Sequence, residues 1–292
     1  MKTAILTMLV AMLAAGCDDS GKITISDTSK TNSTPRYLCV GMETSRRFGS
    51  CPGCAVDAAR LTSILSKSMG YSGSTLISEQ ATKSAVVSKL EEGIMSTPKD
   101  GLFIFCYSGH GGQERLGGKE PDEADVPDEF LCLYDTYMLD DEIWEIVSKC
   151  RGRVFLYFDA CHSATMYRSV ASEKRSVDSD TAVSLEIVDF MKTAGFSFRP
   201  ERFVTAQAMD AGHGSGNVRM LCWSGCMEPE YSYGGSRGGV MTRAVYSNWK
   251  KGVTYSSLWP KVVNFVKMEQ PTQNPTQTSI GSGFGREVEA FR

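Results

Sequence analysis

Only three histidines occur in this 292-residue chain, and it has no excess of basic charge: 31 Lys and Arg stand against 34 Asp and Glu, for a net charge of -3. That balance argues against a dedicated nucleic-acid binder, which carries a basic face and a high pI. The apolar run at residues 3–15 is too short to cross a bilayer comfortably. With 41% apolar and 22% charged residues, the composition is not that of a disordered, collagen-like or multi-span membrane chain. Nor does a second C-x-x-C with suitable histidines accompany Cys51 and Cys54, so a structural zinc site is not expected. What remains is a chain long enough for one large domain or two small ones, at about 150 residues each.

The N-terminus is distinctive. Lys2, the apolar run and Ala14-Ala15-Gly16-Cys17 have the charge, core and small-residue layout of a signal peptide at 1–17. Its end resembles a bacterial lipobox, which makes Cys17 the expected lipidation site and the chain an exported, membrane-anchored lipoprotein of bacterial type. An ordinary cleaved signal is the alternative. Removing Cys17 from ten cysteines leaves nine, an odd number, so at least one thiol stays unpaired even where disulfides persist. Residues 18–36 are polar and read as a flexible tether, with the folded domain expected over 37–292.

From Tyr37 the pattern alternates. Apolar runs at 37–42, 75–77, 101–107 and 153–158 are separated by helical patterns near Leu61, Ile64, Leu65 and Met69, then at 82–95 and 140–148. Short β-rich runs joined by helices imply crossover connections and a largely parallel sheet covered on both faces, an α/β fold. Beyond a polar excursion at 163–199 with a helical segment at 185–191, strands are expected at 202–207 and 218–223. Helices are expected at 240–249 and 258–268, with a tail that reads as loop or an edge addition.

Two of the apolar runs end alike. One passes into Ser108-Gly109-His110-Gly111-Gly112, the other into Asp159-Ala160-Cys161-His162-Ser163. The carboxyl ends of parallel strands form a ligand crevice, so His110 and Cys161 can meet there without being sequence neighbours. A thiolate attacks a carbonyl carbon, and an imidazole supports the thiolate or protonates the leaving amine, which is acyl transfer. The glycines leave backbone N–H groups accessible, and those of Gly111 and Cys161 are the expected oxyanion hole. Each residue also has a plain structural reading: Cys161 as a buried thiol, Asp57 and Asp159 as caps, Ser108 as a turn residue.

Tyr-Ser-Gly-His-Gly-Gly-Gln at 107–113 and Asp-Ala-Cys-His-Ser at 159–163, with Gly53-Cys54-Ala55-Val56-Asp57-Ala58 upstream, resemble the caspase-like cysteine peptidases, specifically metacaspases and their bacterial relatives. The resemblance runs over residues 37–249 in order and spacing. It implies the caspase-hemoglobinase fold, a mainly parallel six-stranded sheet sandwiched between helices, with His110 as general acid/base and Cys161 as nucleophile. It also places Asp57, Ser108 and Asp159, with Cys54 beside them, in the pocket for the side chain preceding the cut bond.

Two carboxylates in a recess suit a guanidinium or ammonium, so protein or peptide substrates cut after Arg or Lys are expected. No cofactor is needed for that chemistry. Calcium is a possible activator: residues 113–142 hold eleven acids and two bases, and Asp128, Asp140 and Asp141 fall where calcium-dependent metacaspases hold their ion. Arg168 stands where a further acid is expected, which weakens that likeness. Arg168, Lys174 and Arg175 are the candidate self-cleavage points. The alternatives are a clostripain-like peptidase, which shares the fold and dyad, and a catalytically silent caspase-like scaffold.

Overall fold

The computed structural model describes residues 36–114, 128–162, 218–226 and 232–292, with residues 113, 114, 128, 129, 161 and 162 described through their backbone. The leader at 1–17 with Cys17, the tether to residue 35, Arg168, Lys174, Arg175, the helix expected at 185–191 and the strand expected at 202–207 lie outside the described residues.

Nearly continuous apolar runs make the central strands, because a strand covered on both faces has no side to give to water. The chain runs through β1 (Arg36–Gly41), a small hairpin of β2 (Thr44–Ser45) and β3 (Gly49–Ser50), α1 (Cys54–Thr62) with a π-helical continuation over Ser63–Ser68, β4 (Ser72–Ile77) and α2 (Lys83–Ser96). It continues through β5 (Leu102–Glu114), β6 (Asp128–Cys132), β7 (Tyr137–Leu139), α3 (Asp140–Val147) and β8 (Arg153–His162). The last described elements are β9 (Met220–Ser224), α4 (Val240–Asn248), α5 (Tyr255–Glu269) and β10 (Thr276–Ile280).

The main path of the sheet has the order β10-β9-β8-β5-β1-β4. Pairings among β4, β1, β5, β8 and β9 are parallel, and β10 closes the edge antiparallel to β9. This is the caspase-hemoglobinase α/β arrangement. Strand alternation splits the core in two. On one face Leu38, Phe103, Phe105, Leu156 and Phe158 pack with Leu90 of α2 and Ile143 of α3. On the other, Cys39, Ile104, Cys106, Phe155, Tyr157 and Trp223 pack with Leu61 of α1, Val245 of α4 and Val262 of α5. At about 1.5–3 kcal/mol per buried large apolar side chain, these two layers supply the main drive for folding.

Two sequence expectations need correction. The strands do not stop at residues 107 and 158: β5 and β8 stay paired as far as Gly111 and His162, so the two chemical blocks lie on strand rather than loop. The acidic segment also contains β6 and β7. β6 pairs antiparallel with the far end of β5, and β7 with β6. That added pairing gives hydrogen-bond partners to a strand end that has left the apolar core.

Candidate active site

The chain passes from β1 to β4 on one side and then to β5 on the other, so the strand order reverses between β1 and β5. Ligand crevices form outside the carboxyl ends of strands at such points. There Gly41 stands opposite Ser108, Ser108 opposite Asp159, and His110 opposite Cys161. The spacing that looked like two separate loop motifs is one row across three strands.

His110 is buried, 5% exposed. Its Nε2 lies 3.0 Å from the Ser50 carbonyl oxygen. A carbonyl only accepts, so Nε2 carries the proton and the lone pair of the neutral ring sits on Nδ1. Nδ1 is buried without a hydrogen-bond partner. Burial pushes the His110 pKa below its ordinary value, opposed by the Ser50 carbonyl. The ring is therefore neutral at pH 7, with its basic nitrogen unengaged. The backbone is held as well: the Tyr107 hydroxyl lies 2.6 Å from the carbonyl oxygens of both His110 and Cys132.

Upstream of the row, Glu43 fixes the start of α1. Its carboxylate accepts from the backbone N–H groups of Gly53 and Ala55, each at 3.0 Å. An anion at a helix N-terminus satisfies orphan donors and the helix dipole together. Gly53 has a φ of 95°, a left-handed conformation that glycine adopts at least cost. The turn delivers Asp57 into the first turn of α1.

Asp57 and Asp159 then form a buried carboxyl pair, 1% and 4% exposed. Asp57 Oδ2 accepts from Ser108 Oγ and Gly239 N, both at 2.8 Å. Asp159 Oδ1 accepts from Ser232 Oγ at 2.6 Å, and its Oδ2 accepts from the Thr242 backbone N–H and hydroxyl, both at 2.7 Å. Gln273, fully buried, donates through Nε2 to Ser232 Oγ at 3.2 Å and to the Gly225 carbonyl at 2.7 Å. A Cβ on Gly239 would lie 2.2 Å from Asp159 Oδ2, so only glycine lets the start of α4 approach this closely. Burial, and then the Asp159 charge, push the Asp57 pKa up to about 8. Burial also raises that of Asp159, against its hydrogen bonds from Ser232 and Thr242. One of Asp57's oxygens, Oδ1, has no hydrogen-bond partner.

The structure thus brings Asp57, Ser108 and Asp159 together, with buried Cys54 opening α1 one turn before Asp57. Gly111 lies in β5 with register partners Leu131 and His162. Asp140 and Asp141 open α3, with Asp140 Oδ1 accepting from the Asp141 N–H at 3.0 Å, while Asp128 begins β6. Among the described residues no three His, Cys, Asp or Glu come together to hold a metal ion, and the side chain of Asp128 lies outside them. Sequence reading missed Glu43, Ser50, Ser232, Thr242 and Gln273. None lies in a motif, and only the Gly238-Gly239 pair before α4 hints at a close backbone approach.

A family model described as Caspase domain matches residues 38–281. Metacaspase-1A of Aspergillus niger is 27% identical over 154 residues, 47% of this chain and 37% of that protein. Metacaspase-1 of Pyricularia oryzae is 30% identical over 149 residues, 44% of this chain and 36% of that protein. The matched stretch thus spans little more than a third of these relatives. A crystal structure of a Geobacter sulfurreducens protein is similar with a TM-score of 0.64 at 22% identity, covering 88% of this chain and 97% of that one, a likeness of fold.

Proposed function

The chain belongs to the caspase-domain family of cysteine peptidases, in its metacaspase-like group, and from that premise we propose that it is an endopeptidase cutting peptide bonds after Arg or Lys through a Cys161–His110 dyad. The observation that carries this reading is the state of His110: neutral, tethered through Nε2 to Ser50, with an unpartnered Nδ1 at the register position opposite Cys161.

His110 Nδ1 takes the proton from the Cys161 thiol as sulfur attacks the scissile carbonyl carbon. The Gly111 and Cys161 N–H groups receive the developing oxyanion, each donor being worth about a hundredfold or more in turnover. The tetrahedral species collapses to a thioester, and His110 returns the proton to the leaving amine. Water, deprotonated by His110, then cleaves the thioester and restores the thiol. Fixing the imidazole through Ser50 and Tyr107 keeps Nδ1 aimed without further reorganisation.

Asp57 and Asp159, beside this row, are the acceptors for a cationic side chain, which supports protein or peptide substrates with Arg or Lys before the cut bond. Arg168, Lys174 and Arg175 are the matching self-cleavage points. The chemistry uses no cofactor, and the acidic stretch at 113–142 is where calcium would act as activator. Export and lipid anchoring through Cys17 rest on the N-terminal residues.

Matched Arg, Lys and Asp reporter peptides, assayed with wild type and Cys161→Ala, each with calcium and with chelator, test the reading. Cleavage after Arg and Lys that vanishes in the variant is expected. Cleavage after Asp would overturn the pocket assignment, and turnover surviving in Cys161→Ala would overturn the dyad. Folded wild type without turnover would favour a scaffold role.

A further inference from the structure

Of the four oxygens in the carboxyl pair, three accept hydrogen bonds from the protein and Asp57 Oδ1 does not. A cation of the chain itself faces it: Arg60, one helical turn along α1, holds Nη1 3.7 Å from Asp57 Oδ1. Its side chain is 25% exposed. The same Nη1 donates to the Arg237 carbonyl, and the guanidinium lies over the Tyr246 ring, 5.7 Å from its centroid. Gly238, with a φ of 90°, passes directly above: a Cβ there would lie 2.1 Å from Asp57 Oδ1 and 2.6 Å from Arg60 Nη1. A side chain at 238 would thus occupy the space over both atoms.

We propose that Arg60 is a resident cation of the specificity pocket, contesting Asp57 Oδ1 with the substrate's Arg or Lys and so setting how tightly the pocket holds it. The proposal rests on the reading that the Asp57–Asp159 pair receives that side chain. A positive charge already near the carboxylate lowers its attraction for a second one. At 3.7 Å, and tied to the Arg237 carbonyl and the Tyr246 face, Arg60 is also able to yield: it is a partner in reserve rather than a closed bidentate pair. Removing it therefore has two effects of opposite sign. Above the pH at which Asp57 ionises, the pocket holds a substrate cation more tightly. Below it, Asp57 loses a neighbour that favours its charged form, and binding weakens. The groups facing Asp57 are Arg60 on α1, Ser108 on β5, Asp159 and Tyr157 on β8 and the Gly239 N–H before α4, with Arg243 of α4 acting on Asp159.

The test measures KM and kcat separately for the full chain and its Arg60→Gln and Arg60→Lys variants, on Arg and Lys reporter peptides across pH 6 to 9.5, with active sites titrated. Gln removes the charge and keeps a polar side chain on α1. At pH 9 the expected result is a KM about threefold to fivefold lower in Arg60→Gln, the scale of one partly screened charge interaction, with kcat unchanged. The acid limb of kcat/KM should move to higher pH, and Arg60→Lys should restore both. A KM at pH 9 that is unchanged or raised, with the limb unmoved, would leave Arg60 a strut between α1 and the 237 loop and overturn the proposal. Failure of wild type to cleave after Arg or Lys removes the underlying reading instead, so the two failures are distinct.

Discussion

β5 and β8 each have two halves that differ in chemistry although one hydrogen-bonded ladder runs through both. In the first halves, Leu102 to Tyr107 and Val154 to Phe158, side chains fill the two apolar layers. The thiol there, Cys106, sits opposite Cys39 and is fully buried, and burial pushes its pKa well above the ordinary value. In the second halves Ser108, His110 and Asp159 are equally buried but polar. Most of their atoms are hydrogen-bonded; His110 Nδ1 is not, nor is Asp57 Oδ1 across from Ser108, which has only the Arg60 guanidinium 3.7 Å away. The difference teaches where function is written. Burial alone silences a group, as with Cys106, whereas burial with one atom left unpartnered holds that atom ready for a ligand.

Substitution should separate the halves sharply. His110→Ala and Cys161→Ala are expected to lower kcat/KM by at least about a thousandfold with little change in melting temperature. Cys106→Ala should do the reverse, costing about 1 kcal/mol of stability for a lost buried atom while kcat/KM per folded molecule stays within about twofold. Denaturant titration beside kinetics checks both. A dead Cys106→Ala enzyme of native stability would break the comparison.

Within the polar half, the two carboxylates should also part company. Asp159→Ala strands the Ser232 hydroxyl and the Thr242 donors, and is expected to cost about 2 to 4 kcal/mol of stability. Asp57→Asn keeps shape and most hydrogen bonding, and should instead raise KM for Arg peptides at least about tenfold with a small loss of stability. Equal losses of stability in both would erase the distinction between an acceptor that also braces α4 and one that does not.

The last contrast is a pH dependence. Asp57's pKa is raised in the folded state, from an ordinary 3.8 to about 8. Between those values the folded chain holds a proton that the unfolded chain has lost, so this contribution is complete below about pH 4 and disappears as pH rises through about 8. The melting temperature of wild type relative to Asp57→Asn should therefore fall across that window, as differential scanning calorimetry can show. Substrate binding runs the other way, because a cation prefers the ionised carboxyl, so kcat/KM for Arg peptides should rise through the same range.

The apolar halves were legible because central parallel strands read as unbroken hydrophobic runs, and the parallel α/β fold followed from their alternation with helices. His110 and Cys161 stood out because each follows the end of such a run, whereas Asp57, Ser108 and Asp159 were reached through the resemblance to the caspase-like peptidases. Strand pairing past residue 107 was not legible, since small and polar residues close the apolar run there, and β6 and β7 are short strands in a mostly acidic segment. Glu43, Ser232, Thr242 and Gln273 were invisible for another reason. Their partners are up to 85 residues away, as between Thr242 and Tyr157, and nothing local marks them.

The most direct test of the dyad is covalent trapping by a peptidyl chloromethyl ketone carrying Arg before the reactive carbon, read by intact mass and peptide mapping in wild type, His110→Ala and Asp57→Asn. One adduct per chain on Cys161 is expected in wild type, slowed strongly by either substitution, with the Asp-bearing reagent inert and Cys39 and Cys106 untouched. An adduct on another cysteine, or labelling of Cys161 at the same rate without His110, would contradict it.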